Sequence, residues 1–319
     1  MKKIIGQIIV ITLLVALLAG GALAVRAFRA PLAPAMKLDL AQAEPTAAPA
    51  ANAEKVCGMS GSLTILVIGR DDYVWEVPAG ADAIRVVKAN FDTRSLSVLS
   101  LPRDLWLKTD ALAKPYDIAE ARLGPAYTAV LKQAGDTQEG NITATNAIGQ
   151  VLVDNFGLTF NQYATVKERA LSQLVNTLGG IEVDVAQTVT VSGVEIKAGK
   201  QTMDGKTAEL YARYFGAGES EAARFDRQNR MMGGLLAKLA DPAVFAKVPD
   251  LYTQFKDLLI TDLSPEQITA LACLTREVGT GKIQLGSLPA DQLSTAADGA
   301  VQLKDLAATK KSVLEFLGK

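Results

Sequence analysis

Leu63-Thr64-Ile65-Leu66-Val67-Ile68, closed by Gly69, Arg70 and Asp71, is the stretch on which the fold turns. A short unbroken apolar run that ends at a glycine suits a strand buried on both faces. Two more strand-like runs follow, Ala83 to Phe91 and Ser95 to Leu101, with Asp92-Thr93-Arg94 between them as a hairpin turn. Helical spacing then takes over. Ile148, Val151, Leu152 and Phe156 share a face within 142–156, and Gly157 stops that helix. Leu171, Leu174, Val175 and Leu178 repeat the pattern before Gly179-Gly180 opens the strand Ile181 to Val185. A second hairpin is expected from Thr188 to Lys197 around Ser192-Gly193, with helices from about Lys206 and from Glu221 to Leu239. Ser264-Pro265-Glu266-Gln267 is a capping box with proline at the first helical position. A last strand is read over Ile283 to Leu288 and a last helix over Lys304 to Leu317. Strands interleaved with helices, but with recurrent hairpins, predict an α/β fold: a mixed β-sheet sandwiched between helices.

Upstream, Met1-Lys2-Lys3 precedes an uncharged apolar run from Ile4 to Val25. At about 1.5 Å per residue it covers the ~30 Å hydrocarbon core of a bilayer, and it carries no polar stripe. A transmembrane signal anchor over 1–29 is therefore expected. The competing reading is a cleaved leader, with Ala22-Leu23-Ala24 as the processing site. Lys2 and Lys3 against Arg26 and Arg29 leave the orientation open by charge. Residues 30–60 are rich in Ala and Pro and read as a linker.

Composition narrows the chemistry. The 319-residue chain is 49% hydrophobic and 21% charged, with net charge −1. Such a balance offers no broad basic surface, so no nucleic-acid partner is expected and any anion must meet a local cluster. There is no histidine, which excludes a Ser-His-Asp triad, a Cys-His pair and His-ligated zinc. Cys57 and Cys273 form no CxxC pair; they are either bridged or two buried thiols.

Carboxylates and arginines remain. Asp71 follows the first strand and Asp82 opens the next, so neighbouring strands would let both share one Mg²⁺ through oxygen ligands, unless they are simply turn residues. Ser100-Leu101-Pro102-Arg103-Asp104 follows the third strand; Arg103 offers a fork for phosphate oxygens or a structural pair with Asp104. Arg213 precedes a Gly-containing loop, after which Arg224, Arg227 and Gln228 fall on one helical face. That face is either an anion site or a basic surface paired with Glu219, Glu221 and Asp226.

The order of these stretches resembles the LytR–CpsA–Psr family, whose members transfer glycopolymers to the bacterial wall. The matching segments are Leu66 to Asp71, Ala81-Asp82-Ala83-Ile84, Leu99 to Asp104, Leu178 to Val183, Gly205 to Arg213, and Arg224-Phe225-Asp226-Arg227-Gln228. The resemblance implies an LCP-like catalytic domain over 61–260 with a C-terminal extension over 261–319 packed on it. It implies a single-pass protein of the bacterial cell membrane with the domain on the extracytoplasmic side. Asp71 and Asp82 would serve Mg²⁺ (or Mn²⁺) and, with Arg103, the chemistry. Arg103, Arg213, Arg224, Arg227 and Gln228 would hold the pyrophosphate of a polyprenyl-linked glycan, with peptidoglycan as acceptor and an apolar tunnel for the lipid. The family's arginines are replaced here by Tyr73, Gly80 and Phe215, with Arg70 as a partial substitute, and a usual lysine and asparagine by Arg122 and Gly124. The activity implied is a glycopolymer phosphotransferase. The alternatives are a tethered binder of the lipid-linked glycan without turnover, and a polyprenyl-pyrophosphate hydrolase.

Overall fold

A computed structural model describes residues 32–39, 41, 55–71, 80–214, 216, 219, 221–239, 241, 254–279 and 282–318. The anchor expected at 1–29 lies outside them. Among the described residues no helix is long and apolar enough to cross a membrane.

In chain order the elements are β1 (Ser62–Arg70), β2 (Ala81–Asn90), β3 (Ser95–Leu101), β4 (Trp106–Lys108), α1 (Asp110–Tyr116), β5 (Glu120–Arg122), α2 (Leu123–Ala134), α3 (Gln138–Phe156), β6 (Gln162–Lys167) and α4 (Arg169–Thr177). There follow β7 (Ile181–Val185), β8 (Val189–Val191), β9 (Val194–Ile196), β10 (Gly199–Met203), α5 (Gly205–Arg213), α6 (Glu221–Leu239), β11 (Leu259–Thr261), α7 (Pro265–Val278), β12 (Gln284–Ser287), β13 (Leu293–Thr295), β14 (Val301–Leu303) and α8 (Leu306–Phe316).

The central sheet runs β11-β6-β1-β2-β3-β12. β1 pairs antiparallel with β2 and parallel with β6, so the sheet is mixed as the pattern predicts. Alternate residues of β1 feed two cores. Leu63, Ile65 and Val67 pack with α4, α5, α6 and α7, whereas Leu66 and Ile68 pack with α2 and α3. Both faces are dry, which is why β1 reads as a continuous apolar run. Asn90 pairs with Ser95 across the first hairpin, and Ser192-Gly193, both at positive φ, turn the second. The capping box at Ser264 forms in full.

The fold bears on two boundaries, one read from composition and one implied by the resemblance. The linker over 30–60 is not a free tether along its described parts. Residues 32–39 lie along α3: Lys37 N–H donates to Asn146 Oδ1, Asp39 N–H to Gln150 Oε1, and Met36 N–H to Asp262 Oδ2. Nearby, Cys57 is bridged to Cys273 with Cα atoms 5.6 Å apart. Ala/Pro composition hides such docking because backbone groups make most of it. The segment over 261–319, expected to pack on the domain, is built into its sheet. It completes β11, forms β12, and so helps close both edges of the central sheet. A break at 260/261 would cut through β11.

Candidate active site

β1, β2 and β3 bring their chemistry to one end of the sheet. Gly69 pairs with Ala83 and Arg70 with Ala81, leaving Asp82 as the extra residue of a β-bulge. A bulge re-aims the side chain it carries. Asp82 is 3% exposed and accepts a hydrogen bond from Arg103 at the end of β3. Asp71, the next residue after β1, is fixed by its N–H donating to Gly80 O. Gly124 seals this corner. A Cβ there would lie 2.7 Å from Ala81 O and 3.3 Å from Arg103 Cβ, so an asparagine at this position needs the corner to move.

From the other side come Arg213, at the end of α5, and Glu168, just after β6. Arg213 lies 2.8 Å from Glu209 and 3.3 Å from Glu168. Glu168 is buried, and its acidity reports the neighbourhood. Burial first pushes its carboxyl up to about 8 against the opposing pull of Arg213, and the charges of Asp71, Glu209 and Asp82 push in the same direction as burial. Asp71, Asp82 and Arg213 therefore act on one buried group, although they reach it from three separate elements.

Deeper, on the face of the sheet covered by α6, lies a second group. Arg224 and Gln228 are both buried, and Arg85 of β2 is one of the largest fully buried side chains. Arg85 donates to Ser100 Oγ at 2.5 Å and to Gln228 Oε1 at 3.0 Å. Burial, and then the Arg224 charge, pull Arg85 down to about 10. α6 also packs tightly on β7 at Gly234, where a Cβ would fall 2.0 Å from Glu182 O.

Two of the expected phosphate ligands are held by partners within the chain. Arg70 was expected to supplement the pyrophosphate site. Its fork is instead filled by Asp136, at 2.6 and 3.0 Å, and by Asn141 at 2.7 Å, both from the α3 end. That hydrogen bond holds the Asp136 carboxyl below its usual range. Arg70 is a strut between β1 and α3. Arg227 was placed among the phosphate ligands, but its guanidinium bonds Glu219 and Tyr214 O and lies 5.0 Å from the Tyr214 ring centroid. Here it ties Tyr214, the residue after α5, to Glu219. Arg122, where lysine is usual, bridges Asp104 at 3.6 Å and Asp298 at 2.6 Å. Tyr73 and Phe215 lie outside the described residues.

Arg85, Glu168 and Ser100 were not singled out from sequence. Arg85 had a signal: it is a charge in the middle of a strand expected to be buried. Glu168 had none, because β6 itself was not recognised.

As donors, Asp71 and Asp82 fit a hydrated divalent cation, since Mg²⁺ takes one or two carboxylates and fills its shell with water and phosphate oxygens. Among the described residues no group of three or more acidic or cysteine side chains is placed to hold a metal by itself.

Known proteins share this architecture. The crystal structure of TagV from Bacillus subtilis superposes with a TM-score of 0.62 at 20% identity, over 81% of this chain and 98% of that one. The LytR-Csp2A-Psr enzyme from Actinomyces oris gives 0.59 at 18%, over 91% and 96%. In sequence, the polyisoprenyl-teichoic acid–peptidoglycan teichoic acid transferase TagU of Enterococcus faecalis is 28% identical over 138 residues, 43% of this chain and 45% of that protein. The chain thus spans about half the length of this curated relative. The LytR_cpsA_psr family model matches residues 33–315, and the chain belongs to that family.

Proposed function

We propose that this protein is a glycopolymer phosphotransferase, moving a glycan phosphate from a polyprenyl-pyrophosphate carrier to a hydroxyl of peptidoglycan. The observation that carries this reading is the convergence of Asp71, Asp82, Arg103 and Arg213 on one end of the sheet around buried Glu168. The activity for which TagU is named, a teichoic acid transfer to peptidoglycan, supports the same reaction class.

Phosphoryl transfer asks a protein mainly for positioning and charge stabilisation. Asp71 and Asp82 would hold Mg²⁺ (or Mn²⁺), which when bound neutralises diphosphate charge. Arg103 and Arg213 face the phosphate being transferred, and Arg224 and Gln228 the phosphate that leaves with the lipid. The acceptor oxygen forms its bond to phosphorus as the bridging P–O bond breaks, and polyprenyl phosphate departs. In the alternative division of roles Asp82 is the principal ligand, and Asp71, more accessible than buried Asp82, accepts the hydroxyl proton. Arg227 holds Tyr214 and Glu219 together and joins the phosphate contacts only if Glu219 releases it. The lipid would run between the sheet and α6, and the apolar run Ile4 to Val25 would anchor the chain with its domain on the extracytoplasmic side of the bacterial cell membrane.

The test is transfer of a labelled polyprenyl-pyrophosphate oligosaccharide to peptidoglycan by the full chain, with and without Mg²⁺. Arg103→Ala or Asp82→Ala should lower the rate roughly 100-fold, the scale for loss of one preorganised charge contact. Undiminished transfer by either variant would refute the site. Binding without transfer would identify a tethered binder, and product released to water without acceptor a hydrolase.

A further inference from the structure

Residues 32–39 are held to the domain by groups from three elements. On α3, Gln138 Nε2 donates to Leu32 O at 3.1 Å and Asn146 Oδ1 accepts from Lys37 N–H at 3.2 Å. Gln150 both accepts from Asp39 N–H and donates to Asp39 O. From β6, the Tyr163 hydroxyl donates to Pro34 O at 3.2 Å. Asp262, just after β11, accepts from Met36 N–H through one carboxylate oxygen and from Tyr163 N–H through the other. Asn146 and Gln150, four apart, present their amides on one side of α3. Gly149 makes the seat beside them: a Cβ there would fall 2.6 Å from Met36 Cε and 3.2 Å from Leu38 Cδ2. The segment is bound as a peptide is bound in a groove, chiefly through its backbone, with apolar side chains in the seat.

This strap has a direction, and it starts at the site. Leu32 meets Gln138, the first residue of α3. At the same end of α3, Asp136 and Asn141 hold Arg70, the neighbour of Asp71. Asp39 meets Gln150, farther along the helix. The chain arriving from its N-terminus therefore reaches the domain at the end of the sheet that carries Asp71, Asp82 and Arg103, and only then runs away from it. Chain length sets how far that end can stand from the apolar run. Val25 closes the run and is seven residues from Leu32, at most about 25 Å of extended chain. Were Val56, paired with Met59 beside the Cys57–Cys273 bridge, the point of attachment instead, the span could reach about 110 Å.

Resting on the membrane anchor proposed above, we infer that the end of the sheet bearing Asp71 and Arg103 is the surface that faces the bilayer, and that the strap 32–39 is the mount that keeps it there. The partner is the lipid surface itself. A lipid-linked diphosphate keeps its charged group at that surface, because hydrocarbon does not solvate it. The mount holds the site within one short tether of this layer, and the turn between Asn90 and Ser95 points away from it.

The experiment uses the full chain in vesicles whose headgroups carry a short-range quencher. A fluorophore is placed on one introduced cysteine, with the native bridge left oxidised. Lys167→Cys, in register with Arg70, reports the site end, and Thr93→Cys the opposite end, about 30 Å away along β2. Quenching should be stronger at position 167 than at position 93. Fifteen Gly/Ser residues inserted between Ala30 and Pro31 add about 20 Å of span and should lower quenching at position 167 about twofold or more. The same insertion between Ala47 and Ala48, downstream of the strap, should leave it unchanged. Equal quenching at the two positions, or equal effects of the two insertions, overturns the inference and leaves the anchor standing. A parent chain that does not float with the vesicles overturns the anchor, and the inference with it.

Discussion

Glu168→Gln separates a water-poor site from an ordinary acidic surface. In the folded chain the Glu168 carboxyl is pushed from 4.5 up to about 8, chiefly by burial. Between those values the folded state keeps a proton that the unfolded state has released. Stability is therefore highest below about pH 4.5, falls as pH rises through the window, and levels off above about 8. The limiting slope is about 1.4 kcal/mol per pH unit, so the whole window sets a ceiling of about 5 kcal/mol. Glutamine keeps the shape and has no proton to lose. The stability of Glu168→Gln minus that of the parent should then grow by up to about 2 kcal/mol between pH ~5.5 and ~7, and continue to rise toward pH ~8.5. Urea unfolding of both proteins at these pH values, in chelator and without reductant, reads the difference directly. Carboxylates distant from Glu168 cancel in the difference. A difference that stays flat with pH would refute the reasoning: water would then reach Glu168, and the inner wall of the site would not be the low-dielectric surface described.

Reducing the Cys57–Cys273 bridge opens a loop of 216 residues, and chain entropy alone puts the loss of stability at about 5 kcal/mol. Urea midpoints with and without reductant should differ accordingly, and equal midpoints would show that the bridge constrains little. Arg70→Met should cost about 1 kcal/mol, because half-exposed Asp136 returns to water and Asn141 keeps Tyr127 and Thr137 O. It should leave affinity for geranylgeranyl diphosphate unchanged; a loss of affinity with intact stability would return Arg70 to the phosphate site.

Local chemistry made much of this legible in advance. The apolar run at Leu63, the glycines at 157 and 193 and the capping box at Ser264 each dictate their own neighbourhood, and each element stands where that chemistry puts it. Long-range pairing is different. β11 and β12 are three and four residues long and find their places at opposite edges only through β6 and β3, so nothing local separated them from an appendage. The site divides the same way. Asp82 and Arg103 were visible as polar residues at strand ends, and they pair. Which partner an arginine finds was invisible: Arg70 and Arg85 both lie on strands, yet one bonds Asp136 and the other Ser100 and Gln228. The bulge at Asp82, which no sequence pattern announced, directs its carboxylate to Arg103.

The most direct measurement is a crystal structure of the protein with geranylgeranyl diphosphate and Mg²⁺. The account predicts the terminal phosphorus between Arg103 and Arg213 with metal on Asp71 and Asp82, the lipid-side phosphate against Arg224 and Gln228, and the isoprenoid between the sheet and α6. A diphosphate seated elsewhere, with Asp82 and Arg103 still closed on each other, would contradict it.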